Sequence, residues 1–133
     1  MIVLDEQLAD PQIIRSIKRW YKGKVISIID VRPRTSVLDD VIPVLLRLLS
    51  APTFVTINHR HFWRRIAASP DYCVICLKLP ADRSLELPEA LREVLSQPKW
   101  RTKRGRLGNV IFFSNRRIAY YSSNHAHIEL ISN

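Results

Sequence analysis

Polar side chains that could bind a metal ion or transfer a proton occur at the ends of short apolar runs in this chain. They are Asp5 with Glu6, Asp30, and Asn58 with His59 and His61. If the runs are parallel strands, their carboxyl ends lie along one edge of a sheet, where open parallel sheets bind ligands. Carboxylate and amide oxygens are the ligands that Mg²⁺ and Mn²⁺ prefer.

Asp5 is the most informative of these residues, because it ends the first apolar run and would put a carboxylate at the rim of the core. The alternative is that Asp5 caps a helix or pairs with an arginine. Two further acids, Asp39 and Asp40, stand at the start of a predicted helix. At 100° per residue, Asp39 falls near Leu46 at the edge of the core stripe and Asp40 on the opposite side. We therefore expect Asp39 to reach a site shared with Asp5. We expect Asp40 to be an N-terminal charge that the helix dipole stabilises.

The four histidines form two H-x-H pairs, His59 with His61 and His125 with His127. On a strand, such a pair presents both rings to one face, as some zinc sites require. The first pair directly follows an apolar run and the second lies near the end of the chain. A histidine zinc site and ordinary exposed polar residues are both compatible with this pattern.

The two cysteines, Cys73 and Cys76, have C-x-x-C spacing but lie within an apolar run that predicts a strand. Residues three apart on a strand point to opposite faces, so the two thiolates cannot close on one metal ion. We expect two core thiols in a reducing compartment.

The apolar runs alternate with helical patterns, and this order predicts an α/β fold with a parallel sheet covered on both faces. Predicted strands cover residues 2–4, 25–29, 53–57 and 72–79. Predicted helices begin at Pro11 after an Asp10 cap and end at Gly23, begin at Ser36 or Leu38 and end at "SAP", and cover residues 62–67 and 87–95. Residues 110–113 and 118–121 predict a C-terminal β-hairpin.

The composition predicts one globular domain over residues 1–133, with a core over about 1–97, a basic connector over 98–107, and the hairpin and tail over 108–133. The hydrophobic fraction of 47% is enough for a core and argues against disorder. No apolar run is long enough to span a membrane. The first ten residues carry three acids and no basic region, so we expect no signal peptide and a cytoplasmic location.

The net charge of +9 favours a polyanionic partner, most often a nucleic acid. The basic residues are densest in "KWRTKRGR", which we interpret as a nucleic-acid-binding patch with a stacking tryptophan. A solvated loop is the alternative. The patch consists of Lys99, Trp100, Arg101, Lys103, Arg104 and Arg106.

The sequence lacks the motifs of a nucleotide-binding Rossmann site and of a serine nucleophile. The chain has three glycines, at positions 23, 105 and 108, so no glycine-rich phosphate loop follows the first strand. There is no G-x-S-x-G motif for a serine nucleophile.

Three segments together resemble PIN-like domains, and within them the short PIN-like proteins related to VapC-type toxins of bacterial toxin–antitoxin systems. The segments are "IVLDEQL", "LDDVIPVLLRLLS" and "TFVTINHRHFW". Their order is similar to the family pattern of an "LDE-(N or Q)-L" start, a helix with "D-x-x-I", and "T-x-D-x-D-F". The resemblance covers roughly residues 1–80, with the helix at 87–95 as a looser continuation.

The resemblance implies a Rossmann-like three-layer fold and a ribonuclease site in which Mg²⁺ or Mn²⁺ activates a water molecule. Asp5 stands at the position of the first-strand acid and Asp39, or Asp40, at that of the helix acid. Asn58 and His61 stand where the family usually has two acids. Asn58 can offer a neutral oxygen, while His61 suits Mn²⁺ better than Mg²⁺, or could donate a proton. Asp71 is a further acid that the spacing does not require.

Two main functions follow as hypotheses. One is a metal-dependent ribonuclease, as the toxin of a pair with an antitoxin protein. The other is a catalytically impaired PIN-like module that binds nucleic acid or a partner protein. The apolar helices and the hairpin also lead us to expect a homodimer.

Overall fold

Seven strands form one sheet in the computed structural model, which describes residues 1–31, 39–125 and 127–131, except for the side chain of Asp39. The strands are β1 (Ile2–Leu4), β2 (Val25–Ser27), β3 (Thr53–Thr56), β4 (Cys73–Leu77), β5 (Asn109–Ser114), β6 (Arg117–Ser122) and β7 (Glu129–Ile131). Their order in the sheet is β2-β1-β3-β4-β5-β6-β7. The first five strands are mutually parallel, and β6 and β7 continue the sheet in antiparallel pairing.

Six α-helices connect the strands in the described part of the chain. They are α1 (Pro11–Lys18), α2 (Ile28–Val31), α3 (Ile42–Arg47), α4 (His59–Phe62), α5 (Leu87–Leu95) and α6 (Lys103–Arg106). Short 3₁₀ helices cover Glu6–Leu8, Asp39–Val41 and Ala81–Glu86. No described helix has the length and apolar character needed to cross a lipid bilayer.

Strands β1, β3 and β4 are buried on both faces, which makes the core a three-layer α/β arrangement, as the alternating pattern predicts. On the side called face A, sheet residues such as Leu4 and Ile75 pack against α1 and α5. On the opposite side, called face B, Val3, Phe54 and Val74 pack against α3 and α4. The near-continuous apolar strands reflect this two-sided burial.

The crossovers leave part of face B without a helix. The connection from β1 to β2 runs over face A, and those from β2 to β3 and from β3 to β4 run over face B. The connection from β4 to β5 again runs over face A, through α5, so its hand is opposite to that of the first three. Since crossovers of one hand strongly predominate in proteins, this last connection is an exception to the usual rule. It leaves face B of the last strands partly uncovered.

Several predicted boundaries are wrong: β4 ends at Leu77 instead of residue 79, and α3 ends at Arg47 instead of at "SAP". Three further differences have identifiable local reasons. The second strand ends at Ser27 instead of residue 29, because Asp30 accepts a hydrogen bond from the Ser27 amide at 3.0 Å and turns the chain into α2. Helix α1 ends at Lys18, well before Gly23, because the amides that follow Lys18 donate to the Ile17 carbonyl. The helix predicted over 62–67 is α4, so both His59 and His61 are helical. The predicted helix start at Ser36 or Leu38 lies outside the described residues.

The two cysteines lie in the core, as predicted. Cys73 faces the α1 side of the sheet and Cys76 faces the α3 side, and both are buried free thiols. Burial raises the pKa of Cys73 to about 12, and burial with the nearby charges of Cys73 and Asp5 raises that of Cys76. Both residues therefore remain protonated and unreactive at neutral pH.

Arg106 fixes the basic connector to the amino edge of the sheet. Only 4% of its surface is exposed, and its guanidinium donates to the Thr53 hydroxyl at 3.1 Å and to the Trp100 carbonyl at 2.9 Å. It also donates to the Arg101 carbonyl at 3.3 Å. The connector thus folds around a buried charge, and its Trp100 is fully buried against Tyr120.

We expect Arg106→Met to lower the free energy of unfolding by about 2–3 kcal/mol, because a hydroxyl and two carbonyls lose a charged donor. Urea denaturation followed by circular dichroism measures this. The control is Arg104→Met, which removes the same charge from an exposed position two residues earlier. Equal stability of the two variants would show that Arg106 does not anchor the connector.

Candidate active site

The carboxyl ends of β1 and β3 lie side by side at the switch point, where the connections from neighbouring strands leave in opposite directions along the sheet. The two strands are neighbours, yet the chain leaves β1 towards β2 on one side and leaves β3 towards β4 on the other. Helix α1 covers face A and α4 covers face B, so a crevice opens between them. Such switch points are the usual ligand sites of open α/β sheets. We call the edge formed by Asp5, Thr56 and Asn58 the carboxyl crevice.

Asp5 extends the pairing of β1 with β3 by one residue, because its amide donates to the Val55 carbonyl at 2.9 Å. Only 5% of the surface of Asp5 is exposed, and described residues donate to both oxygens of its carboxylate. Oδ1 accepts from the Glu6 amide at 2.8 Å, and Oδ2 accepts from the Thr56 hydroxyl at 2.6 Å. A buried carboxylate needs such donors, because its charge has lost most of its water. Asp5 therefore does cap a turn, while also facing the crevice.

Thr56 joins Asp5 to Asn58. Its hydroxyl donates to Asp5 and accepts a hydrogen bond from the Asn58 amide at 2.9 Å. The side chain of Thr56 is fully buried. Asn58 is half-buried at the start of α4, and its own side chain makes no capping hydrogen bond to that helix. The amide oxygen of Asn58 is thus not used in capping.

His61 lies in the first turn of α4, three residues after Asn58. His61 is exposed on α4 and lines an open groove of about 500 Å³ together with Asp40, Pro43 and Arg65. Asp5 and Asn58 are not among the residues that line this groove. Asp39 begins the 3₁₀ helix before α3, but its side chain lies outside what the structure describes. Asp71 precedes β4 and therefore lies at the amino edge, at the other end of the sheet from the carboxyl crevice.

The donor types in the carboxyl crevice suit a hard divalent cation. Asp5 offers carboxylate oxygens and Asn58 a neutral amide oxygen, which are typical ligands of Mg²⁺ and Mn²⁺. Among the side chains that the structure describes, no three His, Cys, Asp or Glu groups lie close enough to hold one ion. That finding covers both H-x-H pairs as described. The sequence predicts Asp39 as a further ligand, and the side chain of Asp39 lies outside the part of the chain that the structure describes.

The basic connector is not part of this site. Arg106 bonds to Thr53 at the start of β3, and Arg106 and Lys103 act electrostatically on the amino group of Met1. Both contacts place the connector at the amino edge, about 15 Å from the carboxyl crevice at ~3.3 Å per strand residue. Because Trp100 is buried, it cannot stack on a base, contrary to the prediction from "KWRTKRGR". Lys99, Arg101, Lys103 and Arg104 remain exposed there.

Thr56 is the residue of this site that sequence reasoning missed. A hydroxyl two residues before a polar strand end can hydrogen-bond the amide two positions on, which is the local pattern that identifies it. The partner at Asp5 is 51 residues away in sequence, so the second bond follows only from strand pairing.

We expect Thr56→Val to lower the free energy of unfolding by about 2 kcal/mol, because it removes the hydroxyl that donates to the buried Asp5 carboxylate and accepts from the Asn58 amide. Thr56→Ser keeps the hydroxyl and is the matched control, with an expected loss of about 1 kcal/mol for the deleted methyl group. Thermal denaturation measures both. A serine variant no more stable than the valine variant would contradict the bridging role.

Comparison with known proteins returned nothing: no protein-family model, no curated protein and no solved structure matches this chain. The functional assignment therefore depends on the geometry of the carboxyl crevice and on the resemblance of the motifs.

Proposed function

We propose that this chain is a PIN-like ribonuclease that hydrolyses RNA phosphodiesters at the carboxyl crevice. One observation supports this above the others. Asp5, the acid of the motif "LDEQL" that directly follows β1, is buried at the switch point. Its carboxylate accepts a hydrogen bond from Thr56, whose hydroxyl also accepts from the Asn58 amide. A carboxylate desolvated in a crevice has a larger electrostatic effect than one in water.

Each residue of the crevice has a role in this proposal. Asp5, Asn58 and Asp39 would hold Mg²⁺ or Mn²⁺, which when bound activates water and offsets charge on the scissile phosphate. Thr56 is a positioning residue that fixes the Asp5 carboxylate and the Asn58 backbone. His61, one turn further along α4, is the candidate proton donor to the leaving oxygen, since histidine exchanges protons near neutral pH.

A second candidate function is RNA binding without hydrolysis. The observation that favours it is the loss of charge at two positions: Asn58 and His61 stand where the resembled family has acids. Fewer carboxylates mean weaker binding of a hard cation. The chain would then keep the fold and the RNA contacts but not the reaction.

The proposal extends to the cellular setting that the resemblance implies. As a toxin of a toxin–antitoxin pair, the chain would have a small protein partner that blocks RNA access. Action on RNA would place it in the cytoplasm, where its two thiols stay reduced.

We expect purified protein to cleave single-stranded RNA in the presence of Mn²⁺ or Mg²⁺, and Asp5→Asn to reduce the rate at least about 100-fold. Asparagine keeps the size and the capping oxygen of Asp5 but removes its charge. Asp71→Asn is the matched control, because it removes an exposed carboxylate at the amino edge. Gel analysis of a labelled oligonucleotide measures all three proteins.

Two outcomes would decide against the nuclease. Equal cleavage by wild type and Asp5→Asn would indicate a contaminating enzyme. No cleavage by wild type under either ion, with RNA still bound, would favour the second candidate function.

A further inference from the structure

A row of aromatic rings lies on the open part of face B, beside the carboxyl crevice. His59 stacks on Phe112 with ring centroids 5.5 Å apart, and Trp63 stacks on the same Phe112 at 5.1 Å. Trp63 also contacts Tyr121 at 5.3 Å. His59, Trp63 and Phe112 are each half-buried, so each exposes part of a ring. We call these three residues the aromatic row.

The aromatic row is exposed because no described helix crosses this part of the sheet. The last crossover runs over face A, so the face B residues of the later strands have above them only His59 of the short helix α4 and the segment that follows it. Phe112 pairs with Ala119, which pairs with Leu130, and Leu130 is 75% exposed. Two grooves adjoin the row, one of about 590 Å³ against Tyr121 and one of about 470 Å³ against Phe112.

The charge around the aromatic row is positive. Exposed basic side chains surround it: Arg60, Arg64, Arg65, Lys78 and Arg117. Burial lowers the pKa of His59, and the positive charges of Lys78 and Arg60 add to this effect, so both cations lie near the His59 ring. No acidic residue occurs in the sequence between positions 41 and 70 or between 94 and 128, the two segments that contain the row and every residue lining its grooves except Leu130, which follows Glu129.

From this arrangement we propose that the aromatic row and its basic rim bind single-stranded RNA, with bases stacked on His59, Trp63 and Phe112 and phosphates contacted by the surrounding arginines. Aromatic platforms within a basic groove are the usual means of binding single strands without sequence preference. Asn58 directly precedes His59, so a strand on the row enters the carboxyl crevice at one end. The inference rests on the proposed function for its choice of RNA as the ligand, but not on hydrolysis.

The charge pattern favours RNA over a second copy of this chain as the occupant. With a net charge of +9, two copies meeting at their most basic faces would repel each other. A polyanion instead releases counterions on binding and gains from every arginine it contacts. The amino-edge connector, which is equally basic, has no exposed stacking ring among its described residues, because Trp100 is buried.

Fluorescence anisotropy with a labelled oligouridylate in EDTA tests this proposal, since EDTA separates binding from cleavage. We expect Trp63→Ala to weaken binding about tenfold, the loss typical of one stacked base. The double variant Arg60→Gln, Arg65→Gln should weaken binding and reduce the log–log salt slope by about 1.4, at ~0.7 per phosphate contact on a single strand. The matched control Arg101→Gln, Arg104→Gln removes the same charge at the amino edge and should bind like wild type.

Three results would overturn the proposal: no RNA binding by wild type, wild-type binding by both Trp63→Ala and the Arg60→Gln, Arg65→Gln double variant, or equal losses in the two arginine pairs. The arginine variants change exposed positions only, so they keep the test valid if Trp63→Ala does not fold. A dimer in sedimentation that dissociates in Trp63→Ala while RNA binding is unchanged would assign the row to a second copy. Binding through the row together with no cleavage would contradict only the nuclease, which separates the two proposals.

Discussion

A carboxylate that has lost its water has to be held by hydrogen-bond donors, and this requirement explains much of the arrangement around Asp5. Among the described residues, donors come from the next residue in the chain and from Thr56, which belongs to the neighbouring strand. The Thr56 bond exists only if β1 and β3 pair in the observed parallel register. Because Thr56 also accepts from the Asn58 amide, one hydroxyl sets the position of both polar groups at the switch point. The site is thus a direct consequence of the order of the strands.

The same topology separates the functions that the basic charge could serve. The connector with Arg106 is tied to the amino edge by a buried guanidinium, so its arginines cannot face the carboxyl crevice. The last crossover runs over face A and leaves Trp63 and Phe112 partly exposed on face B, next to Asn58. A nucleic acid bound on these rings would lie at the crevice, whereas one bound on the connector would not. Geometry, and not the density of charge in the sequence, distinguishes the two surfaces.

Residue spacing and capping residues predict the parts of the fold that depend on neighbouring residues in the sequence. Helix α5 has the predicted bounds because its leucines repeat at helical spacing and Pro88 occupies the first turn. Asp10 caps α1 as expected, accepting from the Gln12 amide at 2.8 Å. The end of β2 and the position of α4 depend on side-chain hydrogen bonds at single residues, which periodicity does not reveal. Strand β7 is short and mostly exposed, so its pattern is too weak to predict.

The candidate site was likewise predictable only where local sequence patterns determine it. A polar residue directly after an apolar run identifies Asp5 and Asn58. The Thr56 bridge, the buried Trp100 and the aromatic row instead join segments about 20 to 55 residues apart.

The most direct test of the metal site in the carboxyl crevice is a crystal soaked in Mn²⁺ and measured for anomalous scattering. We expect a peak within about 2.5 Å of an Asp5 carboxylate oxygen and of the Asn58 side-chain oxygen. Ordered density for both side chains with no peak between them would contradict a metal-dependent site in the carboxyl crevice.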